Sequence, residues 1–154
     1  MLVFDDERIN PRAFCWFGAI PRREVDHWCE ESGFALPHDL LEFWSVTGGG
    51  DLFESETVLR PNVVQPPNAA FLAGDDVHSR NNDFRGNGLP PHLLIFQVGA
   101  FVSAIDMRTR KYVTLGADYS VRDEFNTFDD WYTRTVRLEF GERYGLEIDR
   151  GSTL

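Results

Sequence analysis

Residue types able to do chemistry are thinly spread along this chain. The four histidines, His27, His38, His78 and His92, stand in no HExxH, HxH or other metal spacing. The densest local set is Asp75, Asp76, His78 and Asp83, whose carboxylates and imidazole would meet at a divalent ion, or act as acid and base, only if the segment folded back on itself. Its neighbours Ser79, Arg80, Asn81 and Asn82 are loop formers, so the expectation is a solvated polar loop without a metal. A second acidic set, Asp51, Glu54 and Glu56, follows a glycine run. On a strand Glu54 and Glu56 would share one face, and a carboxylate pair is the equipment of glycoside hydrolysis. Nothing nearby suggests a sugar groove. An acidic edge facing solvent or a partner fits better, and charges there also discourage stray strand pairing.

Phosphate and nucleophile chemistry find less support. A P-loop closes with Gly-Lys-Ser/Thr and opens a helix, whereas Gly48-Gly49-Gly50 is followed by Asp51, whose carboxylate would repel phosphate. Gly86-Asn87-Gly88 reads as a turn, without the preceding strand and third glycine of a dinucleotide fingerprint. Ser45, Ser55, Ser79 and Ser103 lack a nucleophile-elbow context. Cys15 and Cys29 match neither a zinc pattern nor a secreted disulfide framework, and read as free thiols.

These residues need elements to hold them. The best-marked unit runs from Leu36 to Phe53, LPHDLLEFWSVTGGGDLF. Pro37 suits a first helical turn, and Asp39 complements the positive end of the helix dipole. Leu40, Phe43, Trp44 and Thr47 make one stripe, widened by Leu41, before the glycines end the helix and Leu52-Phe53 starts a strand. An earlier helix is expected from Pro21, with Val25, Trp28 and Cys29 on one face and Gly33 as its stop. Runs at Leu93 to Val98, Phe101 to Asp106 and Lys111 to Leu115 predict an antiparallel meander joined at Gly99-Ala100 and Met107 to Arg110. A last helix starts at Thr127, with Asp130 three residues on, and carries Phe128, Trp131, Tyr132, Thr135 and Leu138 on one face until Gly141. The stretch from Gln65 to Pro91 is the most loop-like.

The Leu-Pro start, the Phe43-Trp44 pair, the glycine-rich exit and Asp51-Leu52-Phe53-Glu54 resemble the opening of the SUKH superfamily. That group includes the fungal cell-wall assembly regulator family and many bacterial immunity proteins. VLRP at Val58 to Pro61, LLIFQV, FVSAIDMRTRKYVTL and FNTFDDWYTRTV follow in the family's usual order, over about residues 20 to 140. The family's glycine-bearing turn between the middle strands is represented here only by Gly99. The resemblance implies helices on an antiparallel sheet and a non-enzymatic, protein-binding role.

Composition bounds the rest. The 154 residues, 42% hydrophobic with thirteen Phe and four Trp, suit one domain with a sizeable core. The acidic start MLVFDDER has no secretory-signal profile and no run suits a bilayer span, which predicts a cytoplasmic protein. Fifteen Lys and Arg against 25 Asp and Glu give a net charge of −10, which argues against direct nucleic-acid or membrane binding and favours a basic partner. Ordinary solubility explains the same charge equally well. The expected architecture is α+β, a single domain whose mostly antiparallel sheet packs against three to four helices. Residues 1–20 form an arm or extra strand, 21–141 the SUKH-like domain and 142–154 a tail. The expected function is neutralisation of a cognate, basic toxin by direct binding, without cofactor or metal. The interface is placed on Asp51, Glu54, Glu56, Asp75, Asp76 and Asp83, anchored by Phe53 or Phe84. The alternatives are an intracellular regulatory scaffold of the cell-wall type and, from another class, a small hydrolase using the 75–83 loop with His78 perturbed.

Overall fold

The computed structural model describes residues 1–63 and 75–149. In chain order the elements are α1 (Leu2–Ile9), β1 (Phe14–Trp16), α2 (Arg22–Ser32), α3 (His38–Thr47), β2 (Gly50–Leu52), β3 (Glu56–Val58), α4 (Val77–Gly86), β4 (Leu93–Val98), β5 (Val102–Asp106), β6 (Lys111–Leu115), β7 (Val121–Phe125), α5 (Phe128–Arg134) and α6 (Val136–Phe140). Short 3-10 turns cover Pro11–Ala13 and Gly141–Tyr144. The strands form one seven-stranded antiparallel sheet in sequence order. The expected α+β class is therefore present, and the 93–115 meander forms as three paired strands. No helix among the described residues is long and apolar enough to cross a membrane.

Aromatic side chains from α3 and α5 make the core over β4 to β6. Phe128 stacks on Phe43 at 4.6 Å, Trp131 meets Phe96 at 4.9 Å, and both tryptophans at the centre, Trp44 and Trp131, are fully buried. Each such side chain contributes roughly 2–3 kcal/mol of transfer free energy. Their N–H groups find acceptors: Trp44 Nε1 donates to the Leu59 carbonyl and Trp131 Nε1 to Ser103 Oγ, both at 2.9 Å. Asp39 joins the same layers, accepting from the Tyr112 hydroxyl and, at 2.7 Å, from the Phe128 N–H.

The glycine run does more than stop α3. Gly48 takes φ 71° and closes the helix through its N–H to the Trp44 carbonyl. A Cβ on Gly48 would lie 2.0 Å from the Gly18 carbonyl oxygen, and one on Gly50 2.2 Å from that of Cys15. The triplet is thus a seat for the backbone of β1 and the residues just after it, where the Phe17 and Gly18 N–H groups bond the Gly49 and Thr47 carbonyls.

Several boundaries differ from expectation. Of the arm or extra strand expected for residues 1–20, the strand is present as β1; the helix α1 was not anticipated and packs on α5 through Val3 and Asp6, both buried. Asp6 accepts from the Tyr132 hydroxyl at 2.6 Å and from Arg137 Nε at 2.7 Å. The predicted last helix divides at Thr135, whose hydroxyl turns back to the Trp131 carbonyl and whose backbone leaves helical geometry (φ −115°, ψ −95°), so a new segment starts at Val136 and its Arg137 bonds Asp6. Within the 142–154 tail, residues 142–149 pack on the domain. Leu146 is buried, and the Tyr144 carbonyl accepts from Asn10 Nδ2 at 2.9 Å. β7, unanticipated, is a charged edge strand with only Phe125 buried. With α1 and α4 added and the last helix split, the helical segments exceed the three to four expected. The loop expectation for 65–74 and the residues after 149 fall outside the described part.

Candidate partner-binding surface

The eight residues proposed as an interface divide sharply by burial. β2 and β3 are joined by Phe53–Ser55, a turn in which Phe53 and Glu54 adopt φ 52° and 64°. Glu54 therefore stands on the turn and Glu56 on the strand, and the two do not share a strand face as expected. Glu54 is exposed and accepts from the Tyr144 hydroxyl at 2.9 Å. Glu56 is fully buried. Its carboxylate accepts from the Ala100 N–H at 3.0 Å, the Phe101 N–H at 3.1 Å, Ser55 Oγ at 3.0 Å and Gln97 Nε2 at 3.3 Å. It closes the β4–β5 turn, whose N–H groups point inward, and a Cβ on Gly99 would lie 2.4 Å from its Oε2. This carboxylate belongs to the fold and cannot face a partner.

Phe53 is likewise withdrawn. Its ring is 2% exposed, between Phe14 at 5.3 Å and Tyr144 at 5.5 Å, so it cannot anchor a second protein. Phe84 is half-buried against Tyr119.

The 75–83 segment is not a solvated loop. It enters α4, whose N-terminus is capped by Asp76 Oδ1 accepting from the Ser79 N–H at 2.8 Å. The helix lacked a visible apolar stripe because one inward residue is Asn81, whose amide donates to the Ile95 carbonyl at 2.9 Å and accepts from the Ile95 N–H at 2.8 Å. β3 pairs only with the last residues of β4, and Asn81 completes the β4 edge beyond them. Asp76 is buried and correspondingly unavailable. Burial works to raise its pKa, but the Ser79 N–H and hydroxyl, Asn62 and Arg60 outweigh burial and hold it below the usual carboxylate range.

What remains at the surface is a smaller set. Asp83 is exposed, and Asp51 and Asp75 are half-buried. Asp51 comes from β2, where Thr57 Oγ1 donates to it at 2.7 Å. Asp75 precedes α4, and its carbonyl accepts from the Arg60 N–H. The fold brings these two close enough to feel each other. Burial pushes the Asp75 carboxyl up, and the negative charges of Asp51 and Asp76 add to that push against the pull of Arg80 and Arg60. Neither arginine is fully engaged: Arg60 and Arg80 each keep a buried Nε without a hydrogen-bond partner. The result is a mixed patch in which acids from distant segments meet.

His78 does not complete a catalytic set. Its ring packs against Trp28 and Phe34, 5.8 and 5.7 Å between centroids, and its nearest polar contact is Ser32 Oγ at 3.5 Å. Among the described residues no three His, Cys, Asp or Glu side chains are grouped to hold a metal ion. Both cysteines are free. Two clefts flank α2 instead. One, of about 320 Å³, lies beside Glu24, Trp28 and Glu31; the other, of about 390 Å³, lies between α2, the start of α3 and the β5–β6 turn. Sequence reasoning missed both, since their walls come from separate segments. The one signal in the sequence was the basic run Arg108 to Lys111, conspicuous in so acidic a chain. Comparison with protein-family models and with curated proteins finds no match for this chain.

Proposed function

We propose that the chain is a non-enzymatic protein-binding domain, an immunity protein of bacterial type that neutralises a cognate toxin by direct association. The observation that carries this reading is that Asp51, on β2, and Asp75, ahead of α4, both stay partly exposed within electrostatic reach of each other on a chain already ten charges negative. The Asp75 carboxyl, pushed up by burial and by the negative charge of Asp51, is relieved when a lysine or arginine from outside is placed beside it. A toxin acting on nucleic acid presents such cations, and the net charge steers it toward this surface. The resemblance of Leu36 to Phe53 to the SUKH opening supports the immunity class. Asp51 and Asp75 replace the wider set as the core of the interface, because Glu56, Asp76 and Phe53 are occupied inside the fold.

Co-expression with the product of the gene immediately upstream tests the reading by growth rescue and co-purification. Rescue with a stable complex is expected, and Asp51→Lys with Asp75→Lys should weaken that complex by about tenfold or more, chiefly through slower association at low salt. A harmless neighbour that forms no complex would overturn the reading.

A further inference from the structure

The cleft of about 390 Å³ between α2, the start of α3 and the β5–β6 turn is an open groove that sets apolar side chains beside charged ones. Phe34, Leu36 and Leu41 supply an apolar lining, and the two arginines come from α2 (Arg22) and from the turn Met107 to Arg110 (Arg110). Of the basic residues in and beside that turn, Arg108 is paired with Asp106 at 3.2 Å and Lys111 with Glu124 at 2.9 Å. Arg110 lines the cleft, and its guanidinium has no hydrogen bond or ion pair among the described residues.

Arg110 is also held in an unfavourable backbone conformation. Its φ is 59°, the left-handed region that glycine or asparagine ordinarily fills in such a turn, and its N–H is fixed to the Asp106 carbonyl at 2.7 Å. A strained residue whose side chain does nothing for the fold is in place for something outside it. The other charged groups of the cleft narrow what that is. Arg22 and Asp26 neutralise each other at 2.9 Å, with Glu42 on the far side of Arg22 at 2.7 Å. Glu30, also in the lining, sets a penalty on a second negative charge, while His38 adds a ring nitrogen able to hydrogen-bond. Cys29 faces this environment as a neutral thiol: burial pushes it up, Asp26 adds to that, and Arg110 pulls the other way, which places the guanidinium within electrostatic reach of it.

We propose that this cleft binds a small monocarboxylate with an apolar body, its carboxylate paired with Arg110 and its body against Leu36 and Leu41. The site is separate from the Asp51–Asp75 patch and does not depend on the toxin-binding reading. Phenylbutyrate is the probe, followed by the methyl resonances of Leu36 and Leu41 in the full chain, with phenylbutylamine and inorganic phosphate as controls. A blocked dipeptide with a free C-terminal carboxylate, titrated in parallel, separates free acids from peptide termini as the natural source. Saturable shifts with a carboxylate, absent with the amine and with phosphate, are expected. Arg110→Gly should weaken binding by about tenfold or more while leaving the melting temperature unchanged or higher, because it relieves the turn. Equal shifts with the amine, no shifts with either carboxylate, or undiminished binding in Arg110→Gly would overturn the proposal. A lower melting temperature in that variant would remove the argument from strain and overturn it too.

Discussion

Glu54 and Glu56 sit two residues apart and lead opposite lives. One lies exposed on a turn with a single hydroxyl donor; the other is sealed among four donors, two of them backbone N–H groups 44 and 45 residues away. Asp75 and Asp76 repeat the contrast at the start of α4. The pair differ in the sign of their pKa displacement, upward for Asp75 and downward for Asp76. An acidic residue in this chain either satisfies donors that the fold has buried or remains at the surface to meet something else. Which it does depends on whether distant donors arrive, and that is invisible in the local sequence.

The largest effect should come from emptying a sealed site. Asp6→Ala leaves the buried Tyr132 hydroxyl without its acceptor and the half-buried Arg137 guanidinium with only the Glu147 carbonyl, and a loss of about 3 kcal/mol in urea unfolding is expected. Glu56→Gln keeps the shape but turns an amide toward N–H groups that need acceptors, which should cost about 2 kcal/mol. Glu54→Gln should move the same transition by no more than about 0.5 kcal/mol. Equal losses at 54 and 56 would dissolve the distinction drawn between them.

The smaller effects sharpen it through pH. Asp76→Ala removes the α4 cap and should cost about 1 kcal/mol at neutral pH. Because the folded pKa of Asp76 is depressed, the contribution of its charge is present above the ordinary carboxylate range and fades as pH falls through the depressed value. Asp75→Asn should act in reverse. Its folded pKa is raised, so ionisation opposes folding once pH rises past the ordinary carboxylate range, and the substitution should raise the melting temperature at neutral pH. The gain should vanish in acid, where the native carboxyl is already protonated. Thermal melts across that range, run on both variants, read the two slopes directly.

The sequence carried the elements whose side chains signal locally. The stripe of α3, the glycine stop after it and the aliphatic runs of β4, β5 and β6 are all visible in spacing alone, and all formed. The elements that escaped it either bury polar groups or expose charged ones. α1 turns Asp6 inward, α4 turns Asn81 inward, and β7 carries charge on an exposed edge, so each lacks the apolar rhythm by which helices and strands are recognised. The candidate site was legible only in part. Asp51, Asp75, Asp83 and Glu54 stay accessible, but nothing near Glu56, Asp76 or Phe53 announced that a turn, a helix start and an aromatic cluster would consume them. Arg110 shows the converse: its basic neighbours were plain to read, and its isolation appears only once Asp106 and Glu124 are placed.

The bond between Asp6 and Arg137 spans 131 residues and also has a consequence in time. During synthesis, at roughly 5–20 residues per second, Asp6 waits on the order of ten seconds for its partner to be made. Until then α1 has neither the Arg137 cation nor the Tyr132 hydroxyl to receive its carboxylate. Helix α1 is therefore among the last of the described elements to settle during synthesis, although it is made before the elements it packs against.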